Sequence, residues 1–211
     1  MMYRILVFDF DGTIADTLGE THRILNQIGP DYGIRPIPDH EVDHLRHLSL
    51  KQLIDHLNIP KRRLPSLISR GTGLMRGSIT RLRMIEGMNE VLLELRRHVD
   101  SFGILTSNAT SNVDVFLKTH GLREQFDFIS STSKLTGKAK HLKAIRKTFS
   151  IRPDEMLYIG DELRDVKASQ KAGIPVAAVT WGFNSRESLA AESPDYLIDR
   201  PTDFLRLLDP R

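Results

Sequence analysis

ILVFDFDGTIADT, residues Ile5 to Thr17, carries an apolar run straight into Asp-Phe-Asp-Gly-Thr. A short, β-branched run with no polar face reads as a strand buried on both sides. Asp9 and Asp11 fall where that strand ends. Residues two apart on an extended chain point the same way, so the two carboxylates share a face. Taken alone, such a pair serves turn and cap chemistry as readily as catalysis. Clustered carboxylates also repel, which raises one pKa or calls for a cation.

Working outward, similar runs recur at YRILVFDF (3–10), SFGILTSN (101–108), FDFISST (126–132), EMLYIGD (155–161) and PVAAVTWG (175–182), with a weaker one at DYLID (195–199). Amphipathic segments of helical length lie between the later runs, at 110–120, 138–149 and 162–172. The last ends in KAGIP, where Gly173 has the form of a helix C-cap and Pro175 follows. Buried strands alternating with helices predict an α/β, Rossmann-like core with a parallel sheet. Residues 16–83 differ: they have helical patterning broken at IGPDYGIRPIPD, NIPKRRLP and SRGTG. They predict an all-α insert of three or four short helices. The core is thus expected from residues 1–15 and 84–211.

Composition narrows the chemistry. The 211 residues include no cysteine, which excludes disulfides, thiolate catalysis and cysteine zinc sites. The formal charge is +3, and the one dense basic block is PKRRLP at 60–65. That pattern suits a solvated helix end or a small anionic substrate better than nucleic acid, and no nucleic-acid partner is expected. No apolar run is long enough to span a membrane. The first strand begins close to Met1, so no leader and a cytoplasmic location are expected.

In an open parallel sheet, ligands bind beyond the carboxyl ends of the strands. Asp9 and Asp11 close the first run, Thr106, Ser107 and Asn108 the second, and Asp161 the fourth, with Asp165 one helical turn on. Lys138 opens the helix after SSTSKLTG. Each has an ordinary explanation by itself: TSN as a helix N-cap, GDELRD as a turn, Lys138 as a surface residue. Right-handed crossovers are expected to bring all of them to one rim. Three acids suit a hard ion such as Mg2+, and a lysine and a hydroxyl suit a phosphate. A carboxylate attacking a phosphate dianion needs that charge neutralised.

FDFDGTIADT, ILTSN, a downstream GK and YIGDELRD resemble the four motifs of the haloacid dehalogenase-like (HAD) phosphatases. DGTIADT and the tail VTWGFNSRESL…PDYLIDRPTDFL are similar to the phosphoglycolate phosphatase-like branch. The resemblance implies Asp9 as the nucleophile that forms an aspartyl-phosphate. It implies Asp11 as general acid, then base, with its backbone carbonyl on Mg2+. Thr106 would hold the phosphoryl oxygens, helped by Ser107, Asn108 and their amides, and Lys138 would bridge nucleophile and phosphate. Asp161 would ligate Mg2+, Asp165 would act on it through water, and Thr13 would brace the loop. TSN leaves Thr106 and Ser107 in competition, with Thr106 favoured as closer to the strand. Lys140 competes with Lys138, which the preceding glycine favours. Dehalogenating relatives lack an acid at position 11, so Asp11 points to phosphoryl transfer.

In that family a helical insert after the first motif is a cap that closes over the site, and residues 16–83 fit it. Arg46, in HLRHLSLKQL, is the expected cap residue facing the substrate, with a solvated helix arginine as the alternative. The expected substrate is a small phosphorylated metabolite, with phosphoglycolate the family candidate. A phosphomutase would use the same core. Phosphonate hydrolysis would need a buried cap lysine, and Lys51 and Lys61 have no such context.

HEVDH at 40–44 matches H-E-x-x-H, which on a helix places His40 and His44 on one face for zinc and leaves Glu41 as a base. Asp39 and the preceding prolines put His40 in a first helical turn, and the extended form of the motif is absent. A polar face with Val42, Leu45 and Leu48 packing inward is the competing expectation. A phosphoaccepting receiver domain lacks the helical insert, and a catalytically silent scaffold would not retain every acid. Trp181 and Phe183 are expected to pack on the last helix rather than line the site entrance.

Overall fold

The computed structural model describes residues 3–132 and 137–207. Six parallel strands, β1 (Ile5–Phe8), β2 (Ser101–Thr106), β3 (Phe128–Ser131), β4 (Met156–Gly160), β5 (Val176–Val179) and β6 (Tyr196–Ile198), form one sheet in the order β3-β2-β1-β4-β5-β6. β1 is central, with Val7 opposite Gly103 on one side and Tyr158 on the other. Chain order reverses across β1, which makes its carboxyl end the place where an open sheet leaves a crevice.

The apolar runs are continuous because both faces are covered. Along β1, Leu6 and Phe8 join the larger core cluster while Ile5 and Val7 join the second cluster on the opposite face. Helices α5 (Met88–Arg96) and α6 (Thr110–Thr119) bury Val91, Leu92, Val113 and Phe116 against the first face. Helices α7 (Lys138–Thr148) and α8 (Leu163–Ala172) bury Leu142, Ile145 and Val166 against the second. Phe8 stacks 5.1 Å from Phe102 and 6.4 Å from Phe204. Each such fully buried side chain contributes about 1.5–3 kcal/mol. Gly173 closes α8 with φ of 72°. A short helix, α9 (Arg186–Ala191), leads into β6.

The expected strands and core helices are all present, shortened by one to three residues at most ends. The residues trimmed after β1, β2 and β4 leave the ladder to form the rim. Residues 133–136, within SSTSKLTG, lie outside the described residues.

Between β1 and α5 stand four helices: α1 (Leu18–Ile28), α2 (Asp39–Leu45), α3 (Leu50–His56) and α4 (Leu64–Ser78). α1 and α4 pack together, burying Ile24, Ile28, Leu67 and Met75, and Glu20 accepts a hydrogen bond from Ser78 across them. α3 begins with a capping box between Ser49 and Gln52. The insert leaves and re-enters the core side by side. Asp16 N–H donates to Arg83 O at 2.9 Å, and Ile85 N–H to Ile14 O at 2.9 Å.

A second tie joins the insert to the core. Arg46, just past α2, donates to the carbonyls of Gly182 (3.0 Å) and Thr180 (2.8 Å). In return Asn184 donates to the carbonyls of Arg46 (2.9 Å) and Leu48 (3.0 Å), and Ser185 N–H donates to that of Arg46. The 46–48 turn is thus clasped by the loop after β5.

HEVDH forms α2, with Val42 and Leu45 packed on the core cluster. Leu48 lies beyond the helix end and does not extend that stripe. Glu41 is held by the Arg35 guanidinium and by the His56 ring at 3.0 Å, so its carboxylate is already engaged. Lys51 and Lys61 are both exposed.

Candidate active site

The backbone builds the site from a sharp turn after β1. Asp9 N–H still donates to Ile159 O, continuing the ladder. Phe10 O then accepts from the amides of Thr13, Ile14 and Ala15, folding the chain back. Gly12 sits at φ of 74°, which a side chain adopts at a cost. A Cβ there would also strike the Asp161 carboxylate.

At the floor lies Lys138, the first residue of α7, 2% exposed. Its ammonium donates to Asp9 Oδ2 and to Asp165 Oδ1, each at 2.6 Å. Tyr158, from β4, donates to Asp165 at 3.2 Å and lays its ring 5.6 Å from the ammonium. The Glu162 amide donates to the second Asp165 oxygen at 3.2 Å. Both Asp165 oxygens are therefore occupied, and its clearest work is to hold Lys138 against Asp9. Lys140 is exposed.

Asp161 accepts from the Thr13 hydroxyl at 2.8 Å and the Phe183 amide at 2.7 Å. Thr13 thus joins the β1 turn to the β4 rim. Asp11, half-buried above the floor, accepts from the Asn108 amide group at 3.1 and 3.2 Å. Asn108 is itself fixed through Oδ1, which accepts from Asn112 and the Ala109 amide.

Two expectations for this rim change. Thr106, favoured over Ser107, is fully buried, and its hydroxyl accepts the Asn108 amide at 2.9 Å. Ser107 is exposed and lines the cavity instead. The reason is strand alternation: Thr106 points to the same face as Ile104, and the next residue turns out over the sheet end. Arg46, expected to face the substrate, is not in the cavity wall. Its guanidinium is spent on the Thr180 and Gly182 carbonyls, because α2 ends against that loop.

Charge and burial oppose each other throughout. Burial drives the Asp9 carboxyl up to about 7 against the pull of Lys138. Burial likewise lifts Asp11 to about 6, with the Asn108 hydrogen bond working against it. Asp161 is pushed well above the carboxylate range by burial and by Glu162. Burial would raise Asp165 too, but the Lys138 and Arg164 charges hold it below its ordinary value. Lys138 loses by burial and gains more from Asp165 and Asp9, reaching about 12. The net arrangement is an ammonium held charged among carboxyls that burial makes reluctant to ionise.

Carboxylate oxygens of Asp9, Glu162 and Asp165 lie within 4.8 Å of one another. An all-oxygen, anionic donor set fits a hard divalent cation. Among the described residues no comparable group forms around His40 and His44.

Three participants escaped the sequence reading: Tyr158, Glu162 and Arg164. Arg164 pairs with Glu162 at 2.5 Å and reaches Ser107 at 3.4 Å. Glu162 and Arg164 stand inside GDELRD, so an acid and a base at the rim were in view. Their contacts were not. Tyr158 gave no signal, since a strand tyrosine is normally core. Trp181 packs as expected against the final turn, 6.2 Å from Phe204, while Phe183 lines the cavity.

Above Asp11 and Ser107 a cavity of about 390 Å3 opens between the sheet end and the helices α1, α3 and α4. A carboxylate floor, a charged lysine and a hydroxyl under such a cavity can hold a phosphoryl group and present a nucleophile to it.

Known proteins resemble this chain over much or nearly all of its length. Residues 6–179 match the family model for haloacid dehalogenase-like hydrolases. A phosphoglycolate phosphatase from Synechococcus elongatus is 33% identical over 201 residues, covering 95% of each chain. The pyrophosphatase PpaX of Bacillus cereus is 31% identical over 126 residues, 58% of each. Among solved structures, a haloacid dehalogenase-like hydrolase from Streptococcus pneumoniae superposes with a TM-score of 0.83 at 22% identity, covering 99% of each chain.

Proposed function

This chain belongs to the haloacid dehalogenase-like hydrolase family as a phosphoric monoester hydrolase, and we propose that it is a Mg2+-dependent phosphatase acting through an aspartyl-phosphate on Asp9. The observation that carries this reading is the buried Lys138–Asp9 pair at 2.6 Å beside Asp11.

Asp9, Asp11 and Asp161, with Asp165 acting through water, would hold the cation; Glu162 joins them by its proximity to Asp9 and Asp165. When bound, Mg2+ supplies positive charge to the phosphoryl oxygens. The remaining work falls to the chain. Lys138 draws Asp9 toward its ionised form against burial and aims it. Asp9 attacks phosphorus; the carboxylate O–P bond forms as the ester P–O bond breaks. Asp11 gives its proton to the departing alcohol oxygen. It then takes a proton from the water that attacks the phosphoryl group, freeing Asp9 and inorganic phosphate. A carboxyl held at about 6 suits both proton transfers. Asn108 orients Asp11 for them, and Ser107 meets the phosphoryl oxygens.

Residues 16–83 act as a cap over the core of 1–15 and 84–211, and their helices form the cavity roof. Closure excludes water while the phosphoenzyme forms, and opening readmits it. The substrate is a small phosphorylated metabolite of the cytoplasm. Among the described residues no helix is long and apolar enough to cross a membrane. Phosphoglycolate, from the name of the Synechococcus relative, is the first metabolite to test.

The test is p-nitrophenyl phosphate hydrolysis with Mg2+ and with EDTA, wild type beside Asp9→Asn. Turnover lost in both the EDTA and the Asp9→Asn samples, with the circular dichroism spectrum unchanged, is expected. Retained activity in Asp9→Asn would remove the nucleophile. Transfer of phosphate to a second hydroxyl, without release of inorganic phosphate, would replace hydrolysis by mutase chemistry.

A further inference from the structure

The cavity wall carries more information about the leaving alcohol than the rim does. Its insert side is built from Ile24 of α1, Leu50 and Leu53 of α3, and Ile68 and Met75 of α4. Phe183 closes it from the core side. Leu50 and Ile68 are 38% and 44% exposed, two of the six large hydrophobics left open to solvent among the described residues. They share one cavity lining with Ile24, Leu53 and Met75, and a contiguous apolar surface of that kind marks a binding site.

Charge on the wall is arranged against an anionic tail. Among the described residues Arg164 is the one cation in the lining, and it is paired with Glu162 at 2.5 Å. Asp11 and Glu162 add negative charge. The insert side offers the hydroxyls of Thr21 and Thr72 and no charge. A carboxylate reaching up from the phosphate position would be buried against leucine and isoleucine with no partner, which is costly. The cavity volume, about 390 Å3, falls within the ordinary ligand-pocket range of roughly 300–1,000 Å3 and leaves room for an apolar alcohol.

We propose that the preferred substrate is a phosphomonoester of an uncharged, largely apolar alcohol, whose aromatic or aliphatic body packs against Leu53, Ile68, Met75 and Phe183. This rests on the phosphatase reading above and narrows its substrate class. It sets this chain apart from its phosphoglycolate phosphatase relative. The preference is assigned to the insert wall of this chain, not to its phosphoryl-transfer residues.

The experiment compares kcat/KM for phenyl phosphate, hexyl phosphate and phosphoglycolate in wild type and in Ile68→Arg. Ile68 is exposed enough for the variant to fold. Binding of phenylphosphonate and phosphonoacetate to the same proteins is followed by calorimetry. Phenyl and hexyl phosphate should exceed phosphoglycolate by at least about tenfold, the effect of burying a few methylenes or a ring. The phosphonates should rank the same way. Ile68→Arg should narrow or invert both rankings. Phosphoglycolate equal to or better than the apolar esters in wild type would overturn the proposal while leaving the phosphatase standing. So would an unchanged ranking in Ile68→Arg. If none of the three esters is hydrolysed, the phosphatase reading fails, and the phosphonate ranking still decides what the wall accepts.

Discussion

Replacing Lys138 by methionine keeps the volume and removes the charge that two buried carboxylates share. Each ion pair, at 2.6 Å, is worth about 6 kcal/mol of Coulomb attraction at an effective dielectric constant of about 20. Most of that offsets desolvation, and removing one partner of a buried pair costs about 3–5 kcal/mol net. For a chain of this size that is a fall in Tm of roughly 10 °C. The pH dependence is the sharper test. In wild type Asp165 titrates below its ordinary value. Its stabilisation is therefore present at neutral pH and lost as pH falls through the folded value. Asp9 already sits above its unfolded value in wild type, at about 7; in Lys138→Met it rises further, and Asp165 is left with Arg164 and the Glu162 amide as its main counterweights to burial. A carboxyl raised in this way favours the folded state when protonated, so the variant loses stability as pH rises past about 4. Guanidinium unfolding in EDTA, followed by Trp181 fluorescence from pH 5 to 8, should show the variant close to wild type in acid and far below it at pH 8. A deficit that stays constant across this range would refute the charge argument and leave only lost packing.

Gly182→Ala places a Cβ on the Asp161 carboxylate; the Mg2+ concentration for half-maximal turnover should rise at least about tenfold with the fold intact, and an unchanged metal titration would free Asp161 from the site. Arg46→Ala removes the donors that meet the Thr180 and Gly182 carbonyls; limited proteolysis should cut the insert faster and KM should rise more than kcat falls. A variant with wild-type KM and protease resistance would deny the clasp a part in closure. The Glu20 carboxyl is held down at about 2, first by Arg23 and also by Ser78. Its contribution is complete above its unfolded value and is lost as pH falls toward 2. Glu20→Gln should accordingly flatten the acid limb of the stability curve, and an unaltered limb would show that the Glu20 contacts with Arg23 and Ser78 are energetically silent.

The core was legible because burial on both faces leaves few polar residues in β1, β2, β4 and β5. Asp9, Asp11 and Asp161 stood out because charge at the end of an apolar run is conspicuous, and Lys138 because it opens a helix at the same rim. The choice between Lys138 and Lys140 depended on which one α7 turns inward, and the lysine after Gly137 is the one that meets Asp9. Thr106 and Ser107 could not be separated by a preference for the residue nearer the strand. The deciding quantity was which of two adjacent hydroxyls faced outward after the ladder ended. Arg46 misled because a lone arginine on a polar helix says nothing about the loop more than 130 residues away that takes up its donors. HEVDH did not mislead: its first-turn position already argued against a zinc face, and Arg35 and His56 engage Glu41.

From the sequence alone follow the parallel core, the helical insert after β1 and the acidic rim, because each is written in local periodicity and in the residues that end a strand. Tertiary structure alone decides that Asp165 serves Lys138, that Ser107 faces the cavity, and that the insert meets the core through Arg46 and Asn184. It also decides that the cavity roof is apolar. Leu50, Leu53, Ile68 and Met75 sit on different helices, and their common wall exists only once those helices pack. Contacts between distant residues depend on how whole faces dock, and no local pattern records which side chains are left facing the space between them.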